Sequence, residues 1–378
     1  MTGAQPTRSS ATTGRPPRVS VVVPVYNAEA FLAAAVNSIL TQTFRDFELI
    51  AIDDGATDAS ADILDRLAQQ DDRMIVVHQP NSGIVAALNR GLALARGELV
   101  ARMDADDVAC PERLARQTAF LDAHPDVAVV GSAITLIDAQ GRAIRDVRYP
   151  ESPAAVAAFL ATGSPLAHPA AMMRRAAVLA VGAYRRAFEY AEDYDLWLRM
   201  AERHSLANLP DRLLLYRHHG AKLSLFRAAE QALATGLARV AASRRRAAQP
   251  DPTVGLSALS LADLDRLGLS PQEKVAVLLD IVDACLAVDF WRGDSEHLDR
   301  VIELLRGLDA DAAPRARLVR ARLMVGRQLA QGGRLVASAG WIVHAVAGGA
   351  GDVKHAGAIL FDRARRTVAS IVTNRDRG

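Results

Sequence analysis

Residues 19–25 read Val-Ser-Val-Val-Val-Pro-Val, a β-branched apolar run of strand length. It lacks polar alternation, so it predicts a strand buried on both faces, as in a parallel sheet. Further apolar runs stand at 49–52, 74–77 and 98–103, and the intervals at 30–40, 57–68 and 84–95 carry helical spacing. Thr57 and Asp58 can cap the second of these helices, and Gly97 stands where a helix stop is expected. A β-α-β-α-β-α-β series needs crossover connections, and the result is an α/β fold: a mostly parallel sheet with helices on both faces. Ligands of such sheets bind beyond the carboxyl ends of the strands. Three of those ends are polar here: Tyr26-Asn27, Asp53-Asp54 and Asp104-Ala105-Asp106.

The last of these is the most demanding. In Arg102-Met103-Asp104-Ala105-Asp106-Asp107 three carboxylates fall within four residues directly after an apolar strand. Like charges so placed repel, and desolvation adds to the cost. A hard divalent cation with oxygen ligands relieves both. In extended backbone Asp104 and Asp106 face one side and Asp107 the other, so the first two are expected to share an ion or an ion-bound phosphate. The competing reading is a polar turn into a helix over 112–124. No G-x-G-x-x-G follows the first strand and no G-x-x-x-x-G-K-[ST] occurs, which argues against dinucleotide and P-loop sites.

Downstream, Val127–Ile137 predicts a strand, Asp138-Ala139-Gln140-Gly141 a hairpin turn, and 144–149 the returning strand. A short helix over 153–160 precedes His168-Pro169 and a small strand at 170–173. His168, a single histidine, is expected to be a hydrogen-bonded structural residue. Glu192-Asp193-Tyr194-Asp195-Leu196-Trp197 opens a helix, where acids complement the dipole. A last short strand is expected at 213–216, leading to Arg217-His218-His219 and Ser224.

Composition narrows the classes. The chain has 378 residues, long enough for more than one domain, and a formal net charge of +2, which gives no sign of nucleic-acid binding. Cys110 and Cys285 lie far apart without metal-ligand spacing, so no disulfide framework is expected and a reducing cytoplasm is the default. Residues 1–17 read as a disordered lead-in without the apolar core of a signal peptide. No run of 18 apolar residues occurs.

As an ordered set, Val-Val-Val-Pro-Val-Tyr-Asn, Ile-Asp-Asp-Gly-Ala-Thr-Asp, Asn-Ser-Gly with Ala-Leu-Asn-Arg-Gly, Met-Asp-Ala-Asp-Asp and Glu-Asp-Tyr-Asp-Leu-Trp resemble family-two glycosyltransferases of the GT-A fold, in particular bacterial exopolysaccharide enzymes of the amylovoran type. The resemblance covers about residues 18–225. It implies a GT-A domain over 18–226 and an inverting, metal-dependent hexosyltransferase. Such an enzyme moves a sugar from a nucleotide-diphosphate donor, UDP-linked by preference, to a hydroxyl of a saccharide or lipid-linked saccharide in exopolysaccharide synthesis. By the same resemblance Pro24, Tyr26, Asn27, Asn81 and Gly83 belong to the donor pocket. Asp53 would accept a ring N–H of the base, which suits uracil or thymine and leaves guanine open. Asp104 and Asp106 would handle ribose and metal, Mg²⁺ or Mn²⁺, with Asp106 the preferred ligand. Asp193 would take the acceptor proton as base, with Glu192 its rival. Arg217 and His219 would fold over the diphosphate. Two departures stand out: Ala56 replaces the common Ser, and Leu88 stands where many relatives have Arg, while Arg90 reads as a solvated helix residue.

Two other classes are weighed against this. A sugar nucleotidyltransferase usually starts on a Gly-rich loop with Arg and Lys, unlike Val-Pro-Val-Tyr-Asn. A non-catalytic scaffold of a polysaccharide assembly complex would have no need of Asp53, Asp104, Asp106 and Asp193 together.

After residue 226 strands disappear, and 227–378 predicts an all-α region with helices at 228–246, 260–266, 271–288, 295–308 and 314–329. Residues 249–257, with two prolines and a glycine, read as a linker. Arg-rich 312–334 followed by apolar 335–350 could lie on the inner face of an anionic membrane, as a peripheral contact. A helical bundle packed on the catalytic domain or a second subunit is the favoured alternative. Nothing in the sequence sets the oligomeric state.

Overall fold

The computed structural model describes residues 15–218 and 225–287, together with Val325. The chain divides into two compact units, one of Met1–Lys222 with Ala238–Leu259, the other of Leu223–Leu237 with Ser260–Gly378.

The first unit opens with β1 (Val19–Val25), α1 (Leu32–Leu40), β2 (Phe47–Asp53), α2 (Ser60–Ala68), β3 (Met74–His78), α3 (Ile84–Leu94) and β4 (Leu99–Arg102). It continues through β5 (Val108–Ala109), α4 (Arg113–Ala123), β6 (Val127–Ile137), β7 (Ala143–Val147), α5 (Pro153–Phe159), β8 (Met172–Arg174), α6 (Arg175–Ala180), α7 (Glu192–Ala201) and β9 (Ser205–Arg217). One nine-stranded sheet runs in the order β3-β2-β1-β4-β8-β6-β9-β5, with β7 pairing β6. Its first four strands are parallel. β8 then runs antiparallel between β4 and β6, β6 and β9 run parallel, and β5 and β7 run antiparallel at the edges.

The β-branched runs account for the first half. β1 and β2 are buried along nearly their whole length, because α1, α2 and α3 cover their two faces with residues such as Leu32, Val36, Ile39, Leu64, Val85 and Leu88. Register then sets the site. Val25 pairs with Asp53 and Val22 with Arg102, so the ends of β1, β2 and β4 open on one edge of the sheet.

Some expectations needed revision. The last strand begins at Ser205, well before the expected 213, because Ser205 to Leu209 pair in parallel with β6. Helix α6 and the two-residue β5 were not read from the sequence. Gly97 does not end α3 through a left-handed residue. A Cβ there would lie 2.6 Å from the Ser20 nitrogen and 2.8 Å from the Val19 carbonyl carbon, so glycine serves a close approach to β1. The Gly97 N–H donates to Ser20 Oγ at 2.8 Å in the same contact. Gly97→Ala is expected to cost about 1–3 kcal/mol, as overpacking does, and urea unfolding would read it as a lower midpoint with an unchanged slope.

Helix α8 (Leu225–Arg246) supplies 225–237 to the second unit and 238–246 to the first. The stretch read as a linker, 249–257, belongs to the first unit, with Thr253 only 2% exposed. Within the second unit, α9 (Asp263–Arg266) precedes α10 (Pro271–Ala287), whose Val277, Leu279 and Val282 are buried. Among the described residues no helix is long and apolar enough to cross a membrane. The expected helices at 295–308 and 314–329, the basic-apolar tract 312–350, His219 and Ser224 lie outside the described residues.

Candidate active site

β4 ends at Arg102, and the acids after it do not continue as strand. The Asp107 N–H turns back to the Asp104 carbonyl at 3.4 Å. The expected split, with Asp107 facing away, therefore fails. Carboxylate oxygens of Asp104, Asp106 and Asp107 all come within 4.8 Å of one another.

Three arginines hold this turn. Arg102, buried, forks onto Asp104, Nη1 to Oδ2 at 2.8 Å and Nη2 to Oδ1 at 2.6 Å. Arg113, also buried, donates to the Arg102 carbonyl at 2.6 Å. Burial brings its guanidinium down to about 10, although Asp107 pulls the other way. Arg217, at the end of β9, donates its N–H to Asp107 Oδ1 at 2.8 Å, its Nε to the Asp106 carbonyl at 2.8 Å, and Nη1 to the Asp138 and Ala139 carbonyls at 3.1 and 3.2 Å. Its guanidinium also lies 4.6 Å from the Phe31 ring centre. The structure thus places Arg217 as a brace beneath the acids.

Burial is the main cause of the charge shifts here. It raises Asp107 to about 8, helped by the charges of Asp104 and Asp106 and opposed by the Arg217 N–H. It raises Asp104 as well, against the pull of Arg102. Asp107 Oδ2 is buried without a hydrogen-bond partner among the described residues. An orphaned carboxylate oxygen beside two more carboxylates fits a divalent cation, and Asp104, Asp106 and Asp107 are the residues that would hold it.

The first turn of α7 carries the second acid group. Glu192 is buried, and burial with the neighbouring Asp193 charge raises it to about 7 against the pull of Arg102. Burial raises Asp193 too, while the Tyr194 N–H, donating to Asp193 Oδ1 at 2.7 Å, the Arg102 charge and the Ser164 hydroxyl favour its ionised form. Arg102 is the cation common to Asp104, Glu192 and Asp193. His168 Nδ1 stands 3.7 Å from Glu192 Oε1, and its Nε2 meets the Tyr184 hydroxyl at 2.8 Å. Burial, then the Arg102 charge, holds that imidazole neutral, well below its ordinary value.

The end of β2 carries a separate set of contacts. Asp53, 4% exposed, accepts the Ala56 N–H at 2.9 Å on Oδ1, and its Oδ2 lies 2.7 Å from His78 Nδ1. His78 also reaches Asp65 at 3.2 Å; burial opposes its charge, but these two carboxylates outweigh it and raise the imidazole. No local pattern in the sequence singled out His78; its pairing register with Asp53 does. Asp54 is engaged by the turn after β3. It accepts Gln79 Nε2 and the Ser82 and Gly83 N–H groups at 2.8 to 2.9 Å, and so shapes the turn that carries Asn81 into α3. Gly83 has φ +86°, and a Cβ there would lie 3.3 Å from Glu189 Oε1. Asn27, at φ 48°, accepts the Thr57 N–H at 2.8 Å, while Tyr26 beside it is 53% exposed and Pro24 half-buried. Leu88 is buried and Arg90 exposed.

Glycosyl transferase family 2 matches residues 20–182. EpsE, a putative glycosyltransferase of Bacillus subtilis, is 38% identical over 191 residues, which cover 49% of this chain and 67% of EpsE. AmsE, the amylovoran biosynthesis glycosyltransferase of Erwinia amylovora, is 35% identical over 202 residues, covering 52% of this chain and 75% of AmsE. WbnJ, an O-antigen biosynthesis glycosyltransferase of Escherichia coli, is 32% identical over 205 residues, 53% of this chain and 80% of WbnJ. In architecture the chain is similar to S. aureus TarS 1–349, solved in complex with UDP-GlcNAc, at a TM-score of 0.55 and 19% identity over 87% of this chain and 89% of that one. The TarS likeness bears on the fold alone.

Proposed function

The chain belongs to glycosyl transferase family 2 and has the GT-A fold, and from that premise we propose that it is an inverting, metal-dependent hexosyltransferase of cell-surface or exopolysaccharide synthesis. The donor is a nucleotide-diphosphate sugar, UDP-linked by preference, and the acceptor a hydroxyl of a saccharide or lipid-linked saccharide. The observation that carries the reading is the buried guanidinium of Arg102, which serves both the Asp104 end of the acid turn and the Glu192–Asp193 pair. A donor-side and an acceptor-side acid group thus share one electrostatic site.

Each residue has a role in this proposal. Asp53, with Tyr26, Asn27, Pro24, Asn81 and Gly83, receives base and ribose. Mg²⁺ or Mn²⁺ held by Asp104, Asp106 and Asp107 would neutralise the leaving diphosphate. Arg102 and Arg217 fix the acid turn before any ligand arrives. Asp193 takes the proton of the acceptor hydroxyl as that oxygen bonds to the anomeric carbon and the bond to the diphosphate oxygen breaks. Glu192, buried and raised to about 7 by burial and the Asp193 charge, is the rival for that role. Domain 18–226 carries this chemistry, the helical region 227–378 follows it and lends residues 238–259 to the same compact unit, and the setting is the cytoplasm or its membrane face.

Calorimetry with a panel of nucleotide sugars, with and without Mn²⁺, tests the reading. One donor should bind, and only with metal, and then give product with a saccharide acceptor. A chain that binds no nucleotide sugar under any metal condition is a scaffold; one that makes a nucleotide sugar is a nucleotidyltransferase.

A further inference from the structure

Residues 249–257 have the composition of a linker, but their side chains are engaged in a charge network around α7. Asp251 Oδ2 accepts Arg185 Nη1 at 3.0 Å and Arg245 Nη1 at 2.5 Å. Its Oδ1 accepts the Thr253 N–H at 2.8 Å and the Thr253 hydroxyl at 2.5 Å. The Thr253 hydroxyl oxygen in turn accepts Arg185 Nη1 at 3.1 Å.

Each arginine continues to one end of α7. Arg185 forks onto Asp195, with Nε 3.0 Å from Oδ2 and Nη2 on Oδ1. Arg245 Nε donates to Glu202, the residue that closes the helix, at 2.8 Å. Asp195 is also held by Arg199, whose Nη1 and Nη2 donate to the Val181 and Ala183 carbonyls at 2.6 and 2.7 Å.

We propose that Asp251, with Thr253, is a positioning residue that sets the first turn of α7, and with it Asp193 and Glu192, by tying both ends of the helix to one buried carboxylate. The proposal rests on the reading of that turn as the acceptor-side acid group. Forked arginine pairs fix direction as well as distance, so the network specifies where α7 sits. The Asp195 and Asp251 side chains are 1% and 7% exposed, so removing one charge strands the others instead of returning them to water. Asp195 shares its helical turn with Glu192 and Asp193, and a short helix moves as a body. The charge of Asp251 is secured against burial by Thr253, Arg185 and Arg245, which bring it down to about 2. A bond network that only stabilised the fold would show in unfolding and nowhere else.

The test uses full-length Asp251→Asn and the milder Thr253→Val, at a temperature where circular dichroism shows both folded. Amide hydrogen exchange over 192–196 should speed up while β1 stays protected. Donor affinity should hold within about twofold, and turnover with acceptor should fall by about tenfold or more, the scale on which small misplacements of a reacting group act. Variants that melt earlier but keep wild-type exchange at 192–196 and wild-type turnover would overturn the proposal. If the wild-type chain makes no product from any nucleotide sugar, the transferase reading fails, and the exchange at 192–196 alone decides for or against the tie.

Discussion

Asp193→Asn is expected to lower turnover by about 10²–10⁴-fold while leaving donor binding intact, because a general base contributes on that scale and only once the acceptor is bound. Quenched-flow or radiolabel transfer assays beside calorimetry separate the two quantities. The neighbouring Glu192 gives a finer signature. Burial and the Asp193 charge raise it to about 7, since two adjacent carboxylates resist double ionisation. Glu192→Gln leaves Asp193 in place and removes only its titrating neighbour, so it should lose less turnover than Asp193→Asn. If Glu192→Gln is instead the inactive variant and Asp193→Asn turns over, the two roles are exchanged.

The second large effect concerns the acid turn. Asp106→Ala should abolish metal-dependent donor binding, read as the loss of the calorimetric signal at saturating Mn²⁺. Asp107→Asn should act in two directions. Asp107 is raised to about 8, above its ordinary carboxylate value, so in the metal-free protein its contribution to stability is fully present at low pH and is lost as pH rises towards 8. Asparagine, always neutral, removes that loss. The metal-free variant should therefore melt above wild type near pH 8, by about 2–4 °C for each kcal/mol relieved, yet bind metal more weakly. Because a cation takes the ionised carboxylate, metal uptake by wild type below pH 8 should release protons, seen as a binding heat that varies with the buffer's ionisation enthalpy. A heat independent of buffer would remove Asp107 from the ligand set.

Much of the sheet's first half was legible because its information is local. β1 to β4 are short apolar runs with helical spacing between them, and the polar residues at their ends follow directly. The acids at 104–107 and 192–195 stood out for the same reason. What escaped the sequence lies in long-range partnerships. Extended geometry put Asp107 on the far face; a turn closed onto Asp104 and a backbone N–H from Arg217 brought it into the group. His78 gains its place only by pairing beside Asp53 across two strands. The first residues of β9, Ser-Leu-Ala-Asn-Leu, carry no strand period of their own and are extended because β6 offers a parallel edge. Asp251 and Thr253 looked like linker because turn-forming composition says nothing of a guanidinium 66 residues earlier.

The first unit's interruption by residues 223–237 also bears on how the protein is made. During synthesis, the sheet is complete in sequence once Arg217 has emerged, but the carboxylate that Arg185 and Arg245 share arrives only with Asp251. At about 5–20 residues per second, the nascent chain spends seconds with α7 and its partly buried arginine still awaiting that charge. A gene shortened to the end of the last strand would fix the protein in that unfinished state.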